Sequence, residues 1–147
     1  MASIRKEISI AVAPPEAWAA LRAFGDLHRC LVPGFAVDAR LEGRDRVVTF
    51  FNGTVLRERL IDLDEDARRL VWSIVDGMYT HHNASAQVLA DGPGTVLVWI
   101  ADLLPDEAAE RTAAMMDRAL ATIKQTLERH GAEATVADPD PEGQPSR

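Results

Sequence analysis

The sequence predicts a single α+β domain in which one strand, two short helices, six antiparallel strands and a long helix follow in order. Polar and glycine-containing turn signals divide residues 34–104 at hairpin spacing, which favours an antiparallel meander over parallel crossover units. After Pro105 the apolar side chains recur at three- and four-residue steps, as in an amphipathic helix. A chain of 147 residues, 47% of them hydrophobic, suits one such domain.

The N-terminal elements are a strand and two short helices. Residues 4–12 alternate weakly between apolar and polar side chains, which is typical of a strand, and Pro14 ends the pattern. Pro15 and Glu16 suit a first helical turn, so "EAWAALRAF" is predicted as a helix that ends at Gly25. The segment "DLHRCLV" is predicted as a second short helix before Pro33.

The remaining elements lie between the turns. The predicted strands are "FAVDARLEG", "DRVVTFF", "TVLRERLIDLD", "RRLVWSIVDG", "HNASAQVLA" and "TVLVWIADLL". The helix "DEAAERTAAMMDRALATIKQTLERH" starts with acids, ends with basic residues and is predicted to stop at Gly131. Its apolar stripe consists of Ala109, Ala113, Met116, Leu120, Ile123 and Leu127. We therefore predict a domain over residues 1–130 and a flexible acidic, Pro- and Gly-rich tail over residues 131–147.

Composition restricts the partners. With 23 acidic and 16 basic residues, a net charge of -7 argues against binding nucleic acid or an anionic membrane surface. The sequence contains neither a signal peptide nor an apolar run long enough for membrane insertion, and one cysteine, Cys30, suits a reducing cytoplasm. The histidines have no zinc-site spacing and no glycine-rich phosphate loop occurs, so we expect neither metal nor cofactor. The oligomeric state stays open, with a homodimer as one alternative.

Three segments resemble a known superfamily: "APPEAWAAL", "GTVLRERLIDLDEDARRLVWSIVDG" and "GTVLVWIADLLP". They are similar to segments of the START/Bet v 1-like (SRPBCC) superfamily, in particular its polyketide cyclase/dehydrase and lipid-transport branch. The resemblance implies a helix-grip fold, in which a curved antiparallel sheet wraps the final helix and leaves a cavity. The middle segment is also similar to plant abscisic-acid receptors. The loop before it is shortened to "FFNG", so hormone sensing is not implied.

Strand alternation predicts which side chains face this cavity. In "TVLRERLIDL" the set with Leu56, Glu58 and Leu60 avoids both arginines and is predicted to face inward, which agrees with the resemblance. In "HHNASAQV" the small apolar set is predicted to be inward, so His82, Ala84 and Ala86 face the cavity or its rim and His81 faces solvent or a neighbouring loop.

The resemblance selects the inward set of the last strand and the helix contributes further candidates. The residues implied from that strand are Thr95, Leu97, Trp99 and Ala101. Ala113, Met116 and Leu120 are the expected contributors from the helix. On the strand "RRLVWSIVDG" two sets stay open, one with Trp72, Ile74 and Asp76 and one with Val71, Ser73 and Val75. Tyr79 lies in a loop beside the expected entrance, where it could cap a ligand or hydrogen-bond a carbonyl.

Glu58 and His82 are the candidate catalytic residues. A carboxyl group in an apolar cavity could act as general acid or base, whereas binding water or pairing with an arginine such as Arg46 or Arg59 at the cavity mouth would make it structural. His82 could orient a carbonyl or relay a proton. The alternative is a histidine at a strand end that hydrogen-bonds to solvent and has no catalytic role. No nucleophile motif of the G-x-S-x-G type is present.

The leading hypothesis is binding of a small hydrophobic molecule such as a polyketide, lipid or aromatic metabolite. An enzymatic version adds cyclisation or dehydration, with Glu58 moving a proton and Trp99 providing a flat wall. The alternative is a protein-interaction module of the co-chaperone or ribosome-associated type, without turnover of a small molecule. A filled core beside a broad exposed apolar patch would favour that alternative.

Overall fold

The computed structural model describes residues 1–137, and side chains over residues 1–133. Seven strands form one antiparallel sheet with the order β1-β7-β6-β5-β4-β3-β2. The strands are β1 (Ala2–Ile10), β2 (Ala36–Glu42), β3 (Asp45–Phe50), β4 (Val55–Asp64), β5 (Arg69–Ile74), β6 (His81–Asp91) and β7 (Gly94–Leu104). Each strand between β2 and β7 pairs with its neighbours in sequence, which is the meander that the turn spacing predicts.

The helices flank the sheet in sequence and cover its inner face. They are α1 (Pro14–Arg22), α2 (Leu27–Cys30) and α3 (Ala109–Ala137), with 3-10 turns at Phe24–Asp26 and Asp106–Ala108. The indole N–H of Trp18 donates to Glu65, which also accepts from Arg22, so α1 is tied to the turn between β4 and β5. Lys124 donates to the carbonyl of Ser9, which fixes α3 beside β1.

Helix α3 is longer than the sequence predicted. It continues through Gly131 to Ala137, a total of 29 residues, instead of stopping at Gly131. A Cβ at residue 131 would lie 3.1 Å from Cγ1 of Val12, so the glycine permits close packing of the helix on the segment after β1. Residues 131–137 of the predicted tail are therefore helical, and residues 138–147 lie outside the described part of the chain.

A β-bulge in β4 sets which of its side chains face inward. The pairing with β5 shifts by one residue between Leu60 and Asp62. Glu58 and Leu60 face inward before the bulge, and Leu63 faces inward after it, because a bulge changes the phase of the alternation. Without the bulge, one end of this long strand would turn its apolar side chains to water.

The outer face of the same strands carries an ion-pair network. Asp45 on β3 accepts hydrogen bonds from Arg59 and Arg57 on β4, at 2.9 Å each. These bonds, with that of Arg59 the stronger, lower the pKa of the Asp45 carboxyl to about 2. Both arginines thus lie on the face opposite Glu58. No helix within residues 1–137 is long and apolar enough to cross a membrane.

Candidate functional site

A cavity of about 300 Å³ lies between the inner face of the sheet, the two short helices and α3. This volume is at the lower end of the range of about 300–1,000 Å³ found for ligand pockets. Most of the wall is apolar. The polar side chains on it are those of Arg46, Asn52, Thr54, Glu58, Tyr79, His82, Arg111 and Thr112.

Eight of the twelve residues predicted as site residues line this cavity. They are Leu56, Glu58, Tyr79, His82, Ala86, Leu97, Trp99 and Met116. The four that do not line it are Leu60, Ala84, Ala113 and Leu120. The predicted positions thus agree with the cavity wall for eight residues and differ from it for four, while the roles of these residues in binding or catalysis stay predictions.

Trp72 separates two of the predicted residues from the cavity. Leu60 on β4 and Ala84 on β6 are each directly opposite Trp72 of the central strand β5. The Trp72 indole lines the cavity and is 6% exposed. Its bulk covers the shorter side chains on either side, so Leu60 and Ala84 contribute to core packing instead.

The other two misplaced residues lie on a different face of α3. Asp117 and Lys124 contact Lys6 and Ser9 of β1, so the helix face that includes Ala113 and Leu120 turns towards β1. The cavity is reached by the adjacent face instead. Its contributors are Thr112, Met115, Met116, Ala119 and Ile123.

Several wall residues had no place in the prediction. Leu21, Leu27, Leu31, Val32 and Phe35 close one end of the cavity from the short helices and the loop after them. The regular spacing of the leucines in these segments is the sequence feature from which these wall residues could have been predicted. On β5 the set with Trp72 and Ile74 faces inward, which settles the alternatives that the sequence left open.

A buried ion pair joins Glu58 to Arg46 on the inner face of the sheet. The two residues are directly opposite each other on β4 and β3, and Nε of Arg46 donates to Oε1 of Glu58 at 2.7 Å. Their side chains are 7% and 5% exposed. Arg46 also donates to the carbonyl of Phe24 at 3.1 Å, and its guanidinium lies 4.0 Å from the centre of the Phe24 ring.

The ion pair supports the structural interpretation of Glu58 and is also compatible with the catalytic one. Arg46 compensates the charge of the carboxylate, as the structural interpretation required. Oε2 of Glu58 receives no hydrogen bond from any described residue. Because Glu58 lines the cavity, that oxygen is the acceptor that the pair can offer to a ligand.

His82 is a buried, neutral imidazole with a fixed tautomer. The ladder between β5 and β6 ends at Trp72, and the backbone N–H of Ile74 donates instead to Nδ1 of His82 at 3.0 Å. An accepting Nδ1 requires that the proton be on Nε2. Burial, and to a smaller extent the neighbouring His81, lower the pKa of His82 to about 4. His82 is therefore suited to orienting a carbonyl by donation from Nε2, and poorly suited to relaying protons near neutral pH.

Tyr79 forms a short hydrogen-bonded chain with α3. Its hydroxyl lies 2.6 Å from Oγ1 of Thr112, and Thr112 donates its single hydroxyl proton to the carbonyl of Ala108 at 2.8 Å. Tyr79 must then be the donor to Thr112, and its oxygen keeps only acceptor capacity. Burial raises the pKa of the phenol. In this arrangement Tyr79 can accept from a ligand hydroxyl and does not donate to a carbonyl; of the two roles expected from the sequence, capping a ligand stays a prediction.

Two tryptophans form the flat part of the wall. The rings of Trp72 and Trp99 are tilted, with centroids 5.9 Å apart. Nε1 of Trp99 is buried and has no hydrogen-bond partner among the described residues. An unpaired buried N–H costs about 1–3 kcal/mol relative to a paired one. Almost none of this nitrogen is accessible, so the N–H is enclosed by the protein and the flat ring, not its N–H, meets the cavity.

The mouth of the cavity is formed by its exposed wall residues. Asn52 and Thr54 follow β3, Met78 belongs to the loop between β5 and β6, and Arg111 lies in the first turns of α3. Gly77 has a φ of 74°, and a Cβ there would lie 2.8 Å from Cδ2 of Leu56. A residue with a side chain would therefore push this loop away from the wall.

A family model described as polyketide cyclase / dehydrase and lipid transport matches residues 1–128. The chain belongs to this family. The match covers every strand and most of α3, as the resemblance seen in the sequence predicted. Among curated protein sequences, none matches the chain.

Solved structures place this polyketide cyclase/dehydrase family member among helix-grip proteins. A protein from Thermobifida fusca is 27% identical, with a TM-score of 0.73 over 92% of this chain and 96% of its own. A START superfamily protein from Mycobacterium smegmatis is 12% identical, with a TM-score of 0.69 over 90% and 99%. Norcoclaurine synthase from Thalictrum flavum, solved with dopamine and hydroxybenzaldehyde, is 16% identical, with a TM-score of 0.67 over 90% and 87%. The predicted family and helix-grip fold are confirmed.

The two adjacent histidines of this family member do not converge. His81 is exposed and His82 is buried, on opposite faces of β6. Among residues 1–133 no group of three or more His, Cys, Asp or Glu side chains is placed to hold a metal ion.

Proposed function

We propose that the protein binds a small hydrophobic, oxygen-bearing molecule, such as a polyketide, lipid or aromatic metabolite, and acts on it through Glu58 and His82. The observation that carries the proposal is an apolar cavity of about 300 Å³ with a buried ion pair on its wall. Apolar surface removed from water contributes about 25 cal/mol per Å², before the costs of ordering the ligand. The affinity would therefore come mainly from the apolar wall.

The polar groups of the cavity support a ligand that carries acceptors. Nε2 of His82 is a donor without a protein acceptor in the described chain. Glu58 and Tyr79 offer acceptors. Carbonyl and hydroxyl oxygens, rather than a pure hydrocarbon, satisfy such a set.

The catalytic part of the proposal is a proton transfer next to a carbonyl. Oε2 of Glu58 takes a proton from the carbon beside the carbonyl, and the C–H electron pair moves towards the carbonyl oxygen. Nε2 of His82 donates a hydrogen bond to that oxygen, where negative charge develops. In a dehydration, a β-hydroxyl then leaves with the proton held by Glu58, and water is released. In a cyclisation the enolate carbon instead attacks a second carbonyl carbon of the same molecule, the electron pair of that C=O π bond moves to its oxygen, and this oxygen takes the proton held by Glu58.

The alternative, a protein-interaction module of the co-chaperone or ribosome-associated type, is not favoured. That alternative predicts a core without an internal cavity, whereas this protein contains a cavity of about 300 Å³. The proposal retains a cytoplasmic location, no nucleic-acid partner and no membrane insertion, in keeping with the net charge of -7. A homodimer stays a prediction.

Binding is tested by native mass spectrometry of the untreated protein and by thermal shifts with aromatic and fatty metabolites. A ligand at about 100 times its Kd stabilises the folded state by about 2.7 kcal/mol. A retained small molecule or a raised Tm supports the proposal. An unchanged Tm across the panel, with no retained molecule, contradicts it.

Catalysis is tested with 4-hydroxy-4-phenylbutan-2-one, whose dehydration to an enone is followed by ultraviolet absorbance. Glu58→Gln should lower the rate by at least about a hundredfold, the usual contribution of a positioned acid or base. Asp62→Asn, an exposed acid on the same strand, is the matched control and should leave the rate unchanged. A rate that survives Glu58→Gln would remove the catalytic role and leave the binding proposal intact.

A further inference from the structure

Arg111 is the charged side chain at the mouth of the cavity. It is exposed, it lines the cavity, and within residues 1–133 it takes part in no ion pair or hydrogen bond. The guanidinium instead lies near enough to Tyr79 to act on its electrostatics.

The charge of the wall is therefore positive, although the protein is negative. Arg46 and Glu58 compensate each other as a buried pair, and His82 is neutral near pH 7. Arg111 adds one uncompensated positive charge at the mouth of a chain whose net charge is -7. A guanidinium presents a planar fork of N–H donors that matches a carboxylate.

The position of Arg111 also predicts how an elongated ligand is oriented in the cavity. Along α3 the wall runs from Arg111 to Ile123, which is about 18 Å at 1.5 Å per residue. Arg111 is exposed at one end of this wall, and Ala119 and Ile123 are buried towards the other. An elongated guest with one charged end fits this gradient with its charge outward.

We infer that the ligand is an amphipathic monocarboxylate whose acid group binds Arg111 at the mouth and whose apolar body enters the cavity. The inference rests on the proposed function and specifies the ligand class. One negative charge balances one guanidinium, whereas a phosphate monoester of about two charges would leave one unbalanced in a protein that is already acidic. The carboxylate stays hydrated on its outer side, so only the body of the ligand is desolvated.

The test compares three probes that share one apolar body. They are 2-naphthylacetate, 2-(2-naphthyl)ethanol and 2-(2-naphthyl)ethylamine, measured by calorimetric titration, with 2-naphthylethyl phosphate as a fourth arm. In the unmodified protein the carboxylate should bind about tenfold more tightly than the alcohol, the amine should bind most weakly, and added salt should narrow the differences. Arg111→Gln should weaken the carboxylate about tenfold and leave the alcohol within about twofold.

Arg129→Gln is the matched control, because Arg129 is an exposed arginine of the same helix that does not line the cavity. It should leave all four probes unchanged. Equal binding of carboxylate and alcohol, or an equal loss of both in Arg111→Gln, would overturn the anion site and keep the apolar cavity. Tighter binding of the phosphate would overturn the carboxylate assignment. If neither these probes nor decanoate and decanol bind, the anion site and the proposed function are both wrong.

Discussion

The buried pair of Arg46 and Glu58 is chemically demanding at the scale of single residues. Two charges that leave water lose several kcal/mol of hydration each, and the loss is recovered only with good geometry and further hydrogen bonds. Arg46 meets this condition through Glu58 at 2.7 Å and the carbonyl of Phe24 at 3.1 Å. The sequence offered Arg46 as a partner and could not decide between it and Arg59, because the choice depends on which residue is directly opposite on the inner face.

Removing one member of this pair should destabilise the protein strongly. Glu58→Leu leaves a buried guanidinium without its counter-charge, so we expect a loss of about 3–5 kcal/mol in urea unfolding. Arg46→Met combined with Glu58→Leu removes both charges and should recover to within about 2 kcal/mol of the unmodified protein. A double variant as unstable as Glu58→Leu alone would show that packing, and not the unpaired charge, determines the loss.

His82 should make stability depend on pH. Its pKa is about 4 in the folded protein, below the ordinary value of 6.5, so the unfolded chain binds more protons between these values. Stability is then complete above about pH 6.5 and falls as the pH drops towards about 4, by roughly 2–4 kcal/mol from this group.

His82→Asn should flatten that part of the curve of Tm against pH, because the amide oxygen can replace Nδ1 as acceptor and does not titrate. His81→Asn, at an exposed neighbour that contributes only the smaller part of the pKa shift, should keep most of the slope. An identical slope in the His82 variant would mean that other groups cause the pH dependence.

At the scale of elements, the periodicity of the sequence predicted where each strand and helix lies. The prediction failed at positions where contacts with another element determine the backbone conformation. Gly131 has the sequence signature of a helix end, yet it lies inside α3 because the helix passes close to Val12. The bulge after Leu60 is equally hidden, since it appears only as a shift in the pairing of β4 with β5. Both features depend on the neighbouring element, and no local pattern encodes them.

The loop between β5 and β6 depends on Gly77 for two reasons that can be separated. Gly77→Ala introduces a strained φ, which should cost about 1–2 kcal/mol, and places a Cβ against Leu56 on the cavity wall. Gly92→Ala has a similar backbone strain, with φ of 58°, and no atom within 4 Å of the added Cβ. The two variants should lose similar stability in urea unfolding. Only Gly77→Ala should also weaken binding of 2-(2-naphthyl)ethanol, by about threefold or more. Equal affinities of the two variants for this probe would show that Leu56 can move aside without changing the cavity.

At the scale of the whole molecule, the turn spacing and periodicity predicted an antiparallel meander followed by a long helix, and the family resemblance implied that the sheet wraps the helix around a hollow. The face of α3 that meets the hollow was not predictable from the same order. The most apolar stripe of the helix packs partly against β1, and the cavity lies beside it, at Thr112, Met115 and Ala119. Hydrophobicity identifies a buried face and cannot distinguish a face that meets side chains from one that meets empty space.

Filling the hollow should separate binding from folding. Ala119 lines the cavity and is 3% exposed, whereas Ala121, two residues later, is exposed on the same helix. Ala119→Leu adds apolar volume where the protein has space, so Tm without ligand should stay equal or rise, while affinity for the naphthyl probes falls about tenfold or more. Ala121→Leu has the same change in helix propensity and should leave affinity unchanged. If Ala119→Leu binds the probes as tightly as the unmodified protein, the guest does not occupy the space beside α3 and the cavity is not the binding site.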